Sequence, residues 1–199
     1  NVYIVRILKL PFDISLHFYF FFFVGVIITG ILKMFFYSSV GAGFLGTLGS
    51  SALLYVSIHW IILGNTINIP LLYIQGLLLG FGASMTLVSG SMATLFDGDL
   101  KEAAQRSQTM HTIRNFSAAM LIPIIAYTIK NHIQKGTQSI YAENITDKMI
   151  YLKKLQDVAI DADHQIFLLM IIFNMVMFVS SIIQMILGKG RRITPPRES

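Results

Sequence analysis

"IFLLMIIFNMVMFVSSIIQMIL", residues 166–187, runs for 22 positions without a charged side chain, and the basic string "GKGRR" follows it. At 1.5 Å per residue a helix of this length spans about 33 Å, enough to cross about 30 Å of hydrocarbon. Hydrocarbon offers no partner to a peptide group, so such a segment must satisfy its own backbone as an α-helix. The basic cluster behind it acts as a stop-transfer signal and anchors that end at a membrane face. Four further segments meet the same standard: 15–37, 39–63, 69–96 and 107–129. The third opens on Pro70, where a missing N–H costs a helix little. In the first, Lys33 is placed to snorkel towards the headgroups.

Composition agrees with five membrane spans. Hydrophobic residues make up 54% of the 199-residue chain and charged residues 13%, against about 45–50% and about 25% in soluble domains. There is no cysteine, which removes thiolate metal sites, disulfide frameworks and cysteine nucleophiles. The net charge of +5 sits in short loops and at the C-terminus beside apolar runs, so it marks membrane flanks rather than a nucleic-acid surface. The expected class is therefore an all-α, polytopic helical bundle in a cell (inner) membrane. The first apolar run carries no small-residue cleavage site, and the chain reads as part of a longer protein without a signal peptide. Residues 1–14 read as an outer loop and 188–199 as a cytoplasmic basic tail.

The connections are unequal. About one residue, Ser38, separates the first two spans, "GNTIN" the next two, and "DGDLKEAAQRS" the third and fourth. Residues 130–165 form a long outer loop in which "TDKMIYLKKLQDVA" has the apolar rhythm of a small helix outside the bilayer. Lys33, Lys101, Arg106, Arg114 and the basic tail lie on one side. Charges packed against helix ends outweigh those of long loops, which places the tail and the Asp97 to Arg106 connection in the cytoplasm.

Small residues crowd the second and third spans: Gly41, Gly43, Gly46 and Gly49 in one, Gly76, Gly80 and Gly82 in the other. Lipid tails give helices no hydrophobic reason to associate, so close backbone approach through small residues must supply the attraction. Gly46, Gly76 and Gly80 are the expected helix-packing positions, and the two helices are expected to be interior.

The fourth span carries Arg114 two turns beyond Ser107, roughly 10 Å along the axis. A lipid-facing guanidinium at that depth is costly. Arg114 therefore serves as an interfacial anchor, as a structural anchor of a cytoplasmic gate, or as a contact for substrate or coupling ion, with His111 and Asn115 adding polar character. Gln75 and Asn174 are the other polar residues expected along a transport pathway, with helix-packing hydrogen bonds as their alternative role. The acids of "FDGDLKEAAQR" could hold a metal or phosphate, yet no second acidic or histidine cluster complements them. No catalytic residue, metal site or cofactor is expected.

"LKEAAQRSQTMHTIRNFSAAM" is similar to the pattern of the fourteen-helix drug/proton antiporter branch of the major facilitator superfamily. Glu102-Ala103-Ala104 resembles that family's loop signature, and Arg114 to Ala118 resembles the motif of its thirteenth helix, with Ser117 and Ala118 where glycines are usual. The stretches 71–92 and 163–178 look like its twelfth and last helices, and 1–21 like the end of the ninth and start of the tenth. The resemblance implies the partial C-terminal half of a transporter, about helices ten to fourteen. That half would rock against a missing N-terminal half and export lipophilic or amphipathic small molecules in exchange for protons. None of the ten acids lies within an apolar span, so the proton-carrying carboxylate would lie in the missing part. The alternatives are a channel or structural membrane subunit and a polytopic membrane enzyme.

Overall fold

A computed structural model describes residues 10–63, 68–96, 100–142 and 147–187. Among them the chain forms five long helices: α1 (Phe12–Val40), α2 (Ala42–Leu63), α3 (Ile69–Phe96), α4 (Ala103–Ala142) and α5 (Lys148–Ile186). Each is long and apolar enough to cross a membrane. Residues 1–9, most of "GNTIN", Asp97, Asp99 and the tail 188–199 lie outside the described residues.

Local chemistry sets the helix ends. Pro11 precedes α1 and its carbonyl accepts from Ile14 N–H at 3.1 Å, while Asp13 lies in the first turn, where a negative charge suits the helix dipole. The break between α1 and α2 falls at Gly41, whose φ of 83° is left-handed and closed to most side chains. The Asn68 side chain accepts from Leu71 N–H at 3.4 Å. Asp147 caps α5 by accepting from Met149 N–H at 2.7 Å, the ordinary work of an N-cap carboxylate.

The boundaries differ from the expected spans at several points: α1 starts at Phe12, inside the stretch expected as outer loop, and α4 starts at Ala103 rather than 107. The first connection is Gly41 rather than Ser38, because α1 runs on to Val40. The loop expected over 130–165 is instead helix on both sides of a short turn, since α4 continues to Ala142 and α5 begins at Lys148. At 1.5 Å per residue each of these helices is about 60 Å long, roughly twice the hydrocarbon thickness. Together they form a hairpin whose tip extends past the other three. Gly136 lies against Val158, and Tyr141 meets Tyr151 with ring centroids 6.1 Å apart. This "hairpin end" also holds the start of α1; the opposite "tail end" holds the α3–α4 connection and the end of α5.

The lateral order is α1, α3, α2, α5, α4, with α4 also touching α3. Although α1 and α2 are consecutive, α1 packs along α3, and the two run parallel. Backbone proximity explains this pairing. A methyl at Gly80 would collide with the Phe22 carbonyl, and one at Gly76 would stand 2.8 Å from the Phe18 carbonyl. Polar groups add to it. Thr29 is fully buried and its hydroxyl lies 3.0 Å from Gly25 O and 3.2 Å from Phe81 O. Lys33 donates its ammonium to the Ser84 carbonyl of α3.

α2 is the most enclosed helix, held between α3 and α5. A methyl at Gly49 would stand 2.9 Å from Gly82 O, and one at Gly46 would stand 2.6 Å from Ser181 Oγ of α5 and 3.2 Å from Ser89 Oγ of α3. α2 and α3 are thus interior, as their small residues imply.

Candidate functional site: the inner face of α4

α4 stands apart from the other helices, since no residue of its most apolar window is buried. A helix advances 100° per residue, so Arg106, Met110, Arg114, Ser117, Leu121, Ile125 and Thr128 form one stripe. The two residues at the tail end of this stripe and the three at its other end are half-covered by the bundle, which makes it the inner face of α4. Arg114 and Ser117 are exposed. An inward-facing residue that is uncovered between covered neighbours borders a gap. The gap lies between Met110 and Leu121, about 16 Å along the axis. Pro123 sits just beyond it inside α4; having no N–H, it cannot bond the carbonyl four residues back, and such positions are where helices bend.

The facing wall mixes polar and apolar groups. Thr86, Ser89 and Gly90 of α3 and Val176, Met177, Ser180, Ser181 and Gln184 of α5 line a cleft of about 270 Å³. Its α3 hydroxyls are committed to their own helix: Thr86 donates to Gly82 O at 2.9 Å or Ala83 O at 3.1 Å, and Ser89 to Thr86 O at 3.1 Å. Among the described residues Ser180, Ser181 and Gln184 make no hydrogen bond. The contacts Gly136 to Val158 and Tyr141 to Tyr151 fix the antiparallel register of the α4–α5 hairpin. Carried along both helices at equal rise, that register brings Arg114 level with Ser180.

Other polar residues of α4 point elsewhere. His111 and Asn115 lie about 60° and 100° around the helix from Arg114, and both are exposed. The helix therefore has a second polar face turned away from the bundle, and its apolar strip, Ile113, Phe116, Met120 and Tyr127, covers the remainder. Arg114 makes no hydrogen bond or ion pair among the described residues. Nearer the tail end, a wider cleft of about 530 Å³ is lined by Thr94, Glu102, Gln105, Arg106, Thr109, Met110 and Ile113. Glu102 and Arg106 pair across its mouth at 3.4 Å, an exposed helical pair of small energetic weight.

Gln75 and Asn174 are not brought to this gap. Gln75 is buried near the hairpin end, where its Oε1 accepts from Trp60 Nε1 at 2.7 Å and its Nε2 donates to His59 Nδ1 at 2.8 Å. That second bond makes Nδ1 an acceptor and puts the neutral ring's proton on Nε2. Asn174 donates to Ser57 Oγ at 3.1 Å, and Ser57 in turn donates to Leu53 O at 2.8 Å. Both residues bind helix to helix across α2.

Two features escape hydropathy reading. One is the Lys33 contact to α3. The other is two buried polar atoms, Asp163 Oδ2 and His164 Nε2, on α5 near Phe167, that have no hydrogen-bond partner among the described residues. Among the described residues no group of three His, Cys, Asp or Glu stands together as a metal site. Comparison with protein-family models, curated proteins and solved structures finds no match to this chain.

Proposed function

We propose that this chain is the C-terminal portion of a secondary active transporter in the cell (inner) membrane, with its tail end cytoplasmic. It moves lipophilic or amphipathic small molecules by alternating access, in exchange for protons, as the resemblance to the fourteen-helix drug/proton antiporters suggests. The observation that carries the reading is the uncovered stretch of the α4 inner stripe at Arg114 and Ser117, level with the hydroxyl-lined wall of α3 and α5. The uncovered stretch is bounded by half-covered residues at both ends, Met110 and Leu121, so a route to either membrane face needs α4 to move, which is the motion alternating access requires. A channel would need the polar stripe to continue to the hairpin end, and Leu121 and Ile125 interrupt it.

The second polar face supports the two-half arrangement. Gln108, His111 and Asn115 are exposed on the side of α4 away from the bundle. Amide and imidazole groups are costly against lipid, so this face suits the missing N-terminal half.

The test is proton-driven extrusion of a panel of amphipathic dyes by the full-length protein in efflux-deficient cells. Wild type is compared with Arg114→Ala and Arg114→Lys at matched membrane abundance. The reading predicts extrusion of at least one dye that collapses when the proton gradient is removed. It also predicts a loss of roughly tenfold or more in Arg114→Ala, the scale of a lost charge-assisted contact. No extrusion of any dye by wild type contradicts it.

A further inference from the structure

We propose that the gap beside α4 is an oxyanion site, and that the molecule it takes is an amphiphile with an anionic carboxylate, sulfonate or phosphate head. This rests on the transport reading above and narrows its substrate class.

Three observations point to a negative head. First, the five apolar spans contain two basic residues, Lys33 and Arg114, and no acid. Lys33 is committed to the Ser84 carbonyl, while Arg114 pairs with no described group. A guanidinium two turns inside the span expected for α4 is strongly favoured by an anion, and its planar fork of five N–H donors matches two oxygens of a carboxylate or phosphate. Second, the α5 wall offers donors: the Ser180 and Ser181 hydroxyls and the Gln184 amide are uncommitted among the described residues. Third, the apolar surroundings suit a hydrocarbon body. Met177 lines the cleft, and a flexible thioether adapts to varied shapes. A cationic head at the same place would meet Arg114 in a medium where like charges repel strongly.

The same chemistry could come from the headgroup of an anionic lipid or from a soluble amphiphile, and the experiment separates them. Purified full-length protein is reconstituted in phosphatidylcholine nanodiscs. Binding of a fluorescent amphipathic carboxylate is then compared with that of its methyl ester and its amine analogue. The site predicts that the carboxylate binds at least about tenfold more tightly than either, a difference of about 1.4 kcal/mol. Arg114→Gln is expected to abolish that preference. The double variant Ser180→Ala/Ser181→Ala, which keeps every charge and serves as a second variant should Arg114→Gln fold poorly, is expected to weaken it. Repeating the assay with phosphatidylglycerol in the nanodisc assigns the source. Competition in wild type but not in Arg114→Gln identifies lipid as an occupant, and undiminished carboxylate binding identifies the soluble amphiphile. Equal affinities for acid, ester and amine, or tighter binding of the amine, overturn the anion assignment. Continued proton-driven extrusion of neutral or cationic dyes would then leave the transport reading standing without it.

Discussion

At the scale of single residues, the polar side chains inside the apolar spans divide into those with partners and those without. Gln75 is 1% exposed and serves two partners on α2, while Asn174 serves one. Interhelical hydrogen bonds of this kind contribute about 0.6 kcal/mol on average in membranes and up to about 1.7. Gln75→Leu removes two such bonds where Asn174→Leu removes one. Heat-induced loss of the monodisperse size-exclusion peak should therefore fall to lower temperature in Gln75→Leu than in Asn174→Leu, and both should lie below wild type. The sequence marks both residues, like Asn115, as polar groups in apolar spans. Which of them has a partner depends on helix neighbours, and hydropathy carries no information about those.

At the scale of elements, glycines set how closely α1, α2 and α3 approach. A side chain at Gly80 meets backbone, the Phe22 carbonyl, which cannot swing away, whereas one at Gly30 meets nothing within 4 Å. Gly80→Ala is expected to destabilise the fold by about 1–3 kcal/mol through overpacking. Gly30→Ala should be neutral or slightly stabilising, since alanine favours helix by about 1 kcal/mol over glycine. Thermal unfolding of the full-length protein in detergent checks both, and equal midpoints for the two variants would contradict the close α1–α3 approach. The glycine clusters, and hence the interior rank of α2 and α3, were legible in the sequence. The lengths of α4 and α5 were not. Apolar content ends at Ile129, yet "NHIQKGTQSIYA" continues the helix to Ala142, because hydropathy reports the surrounding solvent while helix formation needs only hydrogen bonds and packing. Burial of Ile140 and Ile160 and the closeness of Gly136 to Val158 hold that extension together.

At the scale of the whole molecule, short connections reveal the alternating direction of the helices but not their lateral order. α1 and α2 follow one another through Gly41, yet α1 lies on α3, because the Phe18, Phe22 and Leu77 carbonyls find bare glycine there. Arg114 could be singled out from sequence as a cation in an apolar span. Its uncovered place on the inner stripe of α4, level with Ser180 in the hairpin register, requires the folded hairpin. The central claim is that this inner stretch of α4 borders an aqueous path, while the strip bearing Phe116 and Met120 faces lipid. The absence of cysteine from the chain makes the most direct test simple. Single variants Ser117→Cys, Met120→Cys and Leu121→Cys in full-length protein free of other reactive cysteines would be exposed to a membrane-impermeant hydrophilic maleimide in inside-out vesicles. The account predicts rapid labelling at Ser117 and little at Met120 or Leu121, with Ser117 protected by a bound amphiphile. Labelling of Ser117 no faster than of Met120 would contradict it.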